Sequence, residues 1–359
     1  MKINIKNIKV RSICATLFIS LFLSCNSGVI EELEKRNTFF DSLVNIGHGF
    51  QEILGSFGNT VGDALGFNAV KSGDPKSAVG KHFEKIKKGL ENIKGKLDGL
   101  TKDITSTPHA DTTGVETVIN SASDVLTKLI DSVSKLAGVT NDSDPIGIAN
   151  SGGAPSAADK AEVDTVIKSV SSIIEVAEES GVKIEPGNAG SEIAKASAQT
   201  DAIATFGGHN SGHAQAGAGD KLAVEVSKAD PWAIINKIKH AIATVGAKLK
   251  TDTTNEAGGL AASNDKADNT AGAKSNADLA AAVALKAMIK GGKFSAASGD
   301  EGAVKGAATS AVNKVLGILN LIIRQTVESN LDKLRKAVKE MKYSEAIGTN
   351  STQSGTATK

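Results

Sequence analysis

Three places in this chain hold residue types and spacings that could do chemistry. Cys25 follows a basic start, Lys2, Lys6, Lys9 and Arg11, and an apolar run of eleven residues, Ile13–Leu23. With the small Ser24 before it and the polar Asn26-Ser27-Gly28 after it, Cys25 stands where an export signal is cut and the thiol takes a diacylglycerol. His209-Asn-Ser-Gly-His213 puts two imidazoles near each other, as zinc sites do, but the spacer is Gly-rich and no third ligand is in view. Chance proximity is the better account of that pair. Val79-Gly80-Lys81-His82 ends like a phosphate-binding loop, yet that motif needs Gly where Pro75 stands and Ser or Thr where His82 stands. No HExxH, GxSxG, GxGxxG or paired-Cys pattern occurs, and no carboxylate pair is singled out as acid and base. The expected inventory is therefore lipidation at Cys25, with no catalytic residue, no cofactor and no metal.

The elements that would position Cys25 begin with its own signal. Eleven apolar residues are too few to span a bilayer as a helix, which needs ~20. Phe22-Leu23-Ser24-Cys25 resembles a bacterial lipobox in a loose, spirochaete-like form, with Phe where Leu is usual. Two or three acyl chains, at ~0.8 kcal/mol per buried CH₂, make a firm anchor where one would be marginal. Removing residues 1–24 leaves 335 residues with 37 basic and 40 acidic side chains, a net charge of −3 that gives no reason to expect nucleic acid. Cys14 leaves with the signal and Cys25 is acylated, so no thiol remains for a disulfide, metal or nucleophile. Aromatic residues are only 3 % of the chain, whereas sheets lean on aromatic and β-branched side chains. The composition points to helices joined by small-residue loops.

Apolar residues at steps of three and four predict helices along most of residues 29–342. Phe39, Leu43, Ile46, Phe50, Ile53, Phe57, Val61 and Ala64 mark the first, with a bend or break expected near Gly58 because Gly disfavours helix. Gly58, Gly62 and Gly66 would let a neighbouring helix approach closely. Asp74-Pro75 reads as the start of a second helix carrying Val79, Phe83, Ile86, Leu90, Ile93, Leu97, Leu100 and Ile104. Its lysines could touch anionic headgroups, but Glu84, Glu91 and Asp98 dilute them, and a solvated face is the better account. Thr113-Gly-Val-Glu116 forms a capping box for Val115–Ala137, and another helix is expected from about Ala157 to Glu179. Ile193 to Phe206 predicts a short helix, and Asp220–Val245 a longer one interrupted at Asp230-Pro231. Ser275 caps a run that stops at Gly291-Gly292, and Ser298 caps a last helix of some 39 residues that spans ~60 Å. On the Ser275-capped helix, Lys286, Lys290 and Lys293 form a narrow polar stripe expected near solvent, every other direction being apolar. Lys286→Ala is accordingly expected to cost little.

Several stretches resemble the borrelial variable large protein family, surface lipoproteins of relapsing-fever spirochaetes related to the VlsE antigen. They are the signal SLFLSCNSG, the segment FFDSLVNIGHGFQEILGSFGNTVGDALGF, the run FEKIKKGLENIKGKL and, most specific, NADLAAAVALKAMIKGGKF at 276–294. The resemblance covers essentially the whole chain. It implies an all-α fold, an elongated bundle of long antiparallel helices with small-residue loops at the membrane-distal end. It implies attachment to the cell outer membrane, exposure on the cell surface, and antigenic variation that evades host antibodies.

The chain then divides into a signal peptide at 1–24, an acylated Cys and tether at 25–28, one helical antigen domain at 29–343 and a disordered tail at 344–359. Expected partners are the outer membrane, host antibodies and a homodimer. Tracts rich in Ala, Gly, Ser, Thr, Asn and Asp at 106–114, 139–155, 185–219, 250–274 and 292–299 are the expected display surface. Few of their side chains should be needed in the core. The alternative is an adhesin gripping a host glycan or protein through its membrane-distal loops. Those tracts offer it few Lys, Arg or aromatic residues.

Overall fold

The computed structural model describes residues 30–62, 69–243, 249–263 and 269–343. Cys25, Gly66 and residues 344–359 lie outside the described residues. Helix α1, Ile30–Gly62, buries Phe39, Ile46, Phe50 and Ile53 along one stripe and stays helical through Gly58. Helix α2, Ser77–Thr105, buries all eight of its predicted apolar positions. It starts after Pro75 rather than at Asp74-Pro75. The Asp74 carboxylate accepts the Lys71 N–H, the Asp74 carbonyl accepts that of Ile146, and Pro75 bridges Pro145. A residue tied into a loop ladder cannot also cap a helix.

Helix α3 spans Thr113–Val139. The expected capping box at Thr113–Glu116 does not form: Thr112 is the N-cap and makes no side-chain cap bond, its Oγ1 donates to the Glu116 carboxylate, and the Thr113 N–H bonds Asp111. After a short strand β1, Ala149–Ser151, helix α4 runs Lys160–Glu179 with the Asp159 side chain accepting the Glu162 N–H. The helix expected at Ile193–Phe206 shrinks to a 3-10 turn at Ala202–Phe206, since Ile193 pairs with Ala273 instead. Helices α5, Ala218–Lys228, and α6, Pro231–Lys239, break where expected, with Asp230 accepting the Trp232 N–H. The remainder is β2 Thr254–Asn255, α7 Ala257–Ala261, β3 Gly272–Ala273, α8 Asn276–Met288, β4 Phe294–Ala296 and α9 Glu301–Glu340. The strands form two parallel pairs, β1 with β4 and β2 with β3.

The 40-residue α9 orders everything else along its length. At its start, Asp300 takes the Gly219 N–H, and Gly147 lies against Lys305 and Ala308. Asn313 holds Val70, Lys314 caps the end of α5, and Asn320 meets His82. Further down, Ser329 and Asn330 bond Ser180, and beyond the helix Tyr343 packs on Phe39 and bridges Ala110. The start of α1 and residue 343 therefore share one end of the bundle. Part of α9 is apolar and long enough to cross a bilayer, but 72 % of that window is buried, which makes it the core helix of this body.

Candidate functional site

Four of the five small-residue tracts converge on α8 and the first half of α9. The tracts 139–155 and 292–299 join through the parallel pairing of Ala149–Ser151 with Phe294–Ala296. Tracts 185–219 and 250–274 join through Ile193 and Ala273 and through the Ala271 N–H on the Gly208 carbonyl. Phe206 and Phe294 then meet edge to face, 5.3 Å between centroids, locking the two pairs together. The fifth tract, 106–114, lies at the other end, where His109 and Ala110 meet Tyr343.

These tracts are not only cover. Ile146, Ile203, Phe206, Leu260, Ala273 and Phe294 are fully buried, against the expectation that few tract side chains enter the core. The short helices α5 to α8 cannot enclose a core between them, so the loops complete the packing. Every residue of α8 is buried, including Asn276, Asp278 and Lys286.

Lys286 overturns the expected solvent-facing stripe. Lys290 is exposed and Lys293 half-buried, but Lys286 has no exposed surface at all. Its Nζ donates to the carbonyls of Ser156 at 2.7 Å and Ser263 at 2.9 Å and lies 5.7 Å from the Phe206 ring. Burial, with help from the charge on Lys76, pushes its pKa down to about 7. Lys76, also fully buried, donates to the carbonyls of Ile289 and Gly292, and burial lowers its pKa against the pull of Asp142. Lys286→Ala would take the lysine donor from the Ser263 carbonyl, leave the Ser156 carbonyl with the Lys293 N–H alone and open a hole, so the small cost expected from an exposed lysine does not hold. Sequence periodicity missed both lysines because a carbonyl pair that replaces water leaves no local signal.

The other candidates resolve plainly. His209 is half-buried and bonds Ser211, and His213 is exposed on the same loop. Among the described residues no group of three His, Cys, Asp or Glu side chains could hold a metal. Val79–His82 is helix, with Gly80 against the Ala137 carbonyl and His82 buried on Asn320. A surface depression of about 560 Å³ lies between α3 and α9, lined by Asn120, Asp124, Lys128, Asn330 and Lys333 among others. Its polar groups are shared among Ser180, Glu179 and solvent.

Comparison with known proteins gives this architecture its relatives. The model of the Borrelia lipoprotein family matches residues 50–338. Variable large protein 12 of Borrelia hermsii is 56 % identical over 357 residues, covering 97 % of both chains. Variable large protein 14 of the same species is 52 % identical, covering 97 % of this chain and 98 % of its own. The crystal structure of the Lyme disease variable surface antigen VlsE of Borrelia burgdorferi superposes with a TM-score of 0.66 at 32 % identity. It covers 84 % of this chain and 99 % of the VlsE chain. The chain belongs to the Borrelia lipoprotein family and, within it, to the variable large proteins that share the fold of VlsE.

Proposed function

We propose that this chain is a lipid-anchored antigen of the spirochaete outer surface, without catalytic activity, whose exposed tracts are replaced from variant to variant to evade host antibodies. The observation that carries the reading is the gathering of four small-residue tracts over a wholly buried α8, toward the end of α9 remote from Phe39 and Tyr343. The anchor is an acylated Cys25, five residues before the start of α1 at Ile30. Lipid at that point sets the Tyr343 end toward the membrane and leaves the four tracts outermost. The partners are then the membrane on one side and host antibodies on the other.

Antibodies on intact cells test this directly. Sera raised against the whole protein should lose most cell binding when the exposed residues of 139–155, 185–219, 250–274 and 292–299 are exchanged for those of a variant relative. Antibodies raised against peptide 276–294 should bind denatured protein and ignore intact cells. Full retention of serum binding after the exchange, or equal binding of the peptide antibodies to native and denatured protein, would overturn the reading.

A further inference from the structure

The bonds that fasten the tracts share one chemical form. Lys286 on α8 donates to the Ser156 and Ser263 carbonyls. Ser295 Oγ donates to the Gly153 carbonyl at 2.6 Å and accepts the Ala214 N–H at 2.8 Å. Asp300 Oδ2 accepts the Gly219 N–H at 2.8 Å, and Asn276 Oδ1 accepts the Ser191 N–H at 2.7 Å. Asn313 takes both the N–H and the carbonyl of Val70. In each case a side chain of α8, β4 or α9 and its cap grips a peptide group of a connecting segment or, at Gly219, of the first turn of α5. Val70 and Ser156 lie just outside the tracts, and Ser295 is a buried tract residue that serves as part of the frame. All of these gripping residues are buried.

We propose that the scaffold holds the tracts by their main chain, with Lys286 as the central tie, so that exposed tract side chains can be exchanged without loosening the attachment. A peptide carbonyl is present whatever residue occupies the position, and an N–H is present for every residue but proline. A tie made to such groups does not read sequence. The exposed tract side chains make ties of another kind: Lys221–Asp201 and Lys274–Glu256 lie at the surface, where an ion pair contributes little, whereas the buried tract residues Phe206, Phe294, Ser295 and Asn255 belong to the hold itself. Lys286 suits the central place because either protonation form serves. The ammonium has three N–H groups, for two carbonyls and the Phe206 face, and the neutral amine keeps the two N–H groups the carbonyls need. Lys286 is a positioning residue on this reading. The proposal concerns attachment alone and holds whether or not the surface varies in a host.

Hydrogen exchange on the full-length protein tests it. In Lys286→Met the amides of Ser156, Ala158 and Ser263, each bonded to a carbonyl in the parent, should exchange at least about ten-fold faster, while amides of α3 and the second half of α9 keep their rates. The combined variant Ser151→Ala, Ser211→Ala, Gln215→Ala and Ser298→Ala, all exposed tract positions, should leave the same three amides within about two-fold of the parent. Unchanged exchange in Lys286→Met, or a rise in the four-residue variant equal to that in Lys286→Met, would overturn the proposal. A measurement on the parent protein covers the case in which Lys286→Met does not fold. With ¹⁵N-labelled lysine, Lys286 should give an Nζ–H resonance protected from solvent at neutral pH, and a resonance that exchanges as freely as those of exposed lysines would sink the tie.

Discussion

His82 is buried on the inner face of α2, where one ring nitrogen lies 3.2 Å from the Asn320 amide oxygen and 3.1 Å from its nitrogen. Burial is the main influence on this imidazole and lowers its pKa, outweighing the Asn320 bond and aided by Lys85. A base held below its ordinary value folds best uncharged. Its effect on stability is therefore neutral above the unfolded pKa near 6.5 and becomes a growing penalty as pH falls from there to the folded pKa. Unfolding free energy, measured by denaturant titration between pH 8 and 5, should drop on the acid side of 6.5, and His82→Gln should remove much of that drop. An identical acid arm in the variant would show that other groups cause it. Lys286 works in a higher window. Its stability contribution shrinks as pH falls from its ordinary 10.5 to about 7 and is flat below, so it adds nothing to the acid arm assigned to His82.

At the scale of the element, α8 is defined by its two ends. Ser275 Oγ accepts the Asp278 N–H at 3.0 Å and donates to the Asp278 carboxylate at 2.6 Å, while Lys237 reaches that carboxylate at 2.9 Å. Ser275→Ala should cost ~1–2 kcal/mol, the upper part of the range for a lost N-cap, because the buried carboxylate loses a donor as well. A thermal melt reads this, and an unchanged melting temperature would place the cap's role elsewhere. The far end stops at Met288, with Ile289 already extended, and the turn after it passes through Gly291, whose φ of +78° suits glycine, and Gly292, where any Cβ would strike the Lys286 carbonyl. The Ser275 cap was legible in the sequence because capping is local, whereas the helix expected to run on to Gly291-Gly292 ends at Met288. The Asp230-Pro231 break between α5 and α6 was legible too. What was not legible came from distance: Asp74 is claimed by Ile146, Ile193 by Ala273, and Lys286 by Ser156, 130 residues away. The periodicity of α8 marked it as a buried helix, but a lysine answered by remote carbonyls reads, from spacing alone, as one facing water.

At the scale of the molecule, α1 begins and residue 343 stands beside it, with Arg36 over the Tyr343 ring at 5.6 Å and Phe39 against its edge. The described chain thus enters and leaves the bundle at one end, and four of the small-residue tracts lie toward the other. The proposed anchor on Cys25 would exploit that polarity, since five residue steps to Ile30 reach at most ~17 Å when fully extended. Cys25→Ala should abolish acylation and shift the protein out of the detergent phase in a two-phase partition. If the variant, with its signal removed, still partitions as the parent does, the membrane is held by some other part of the chain.

The length of α9 carries a consequence for what stands around it. Forty helical residues rise ~60 Å, and the bundle is about as tall as that helix. Columns of that height, if anchored and crowded on a cell as proposed, would shade their shorter neighbours, since an immunoglobulin arm would meet the tips first. On the proposed reading, exchanging the tips would disguise more than the molecule that bears them, since any low-lying protein of the same membrane would sit under the canopy with no need for its own surface to change.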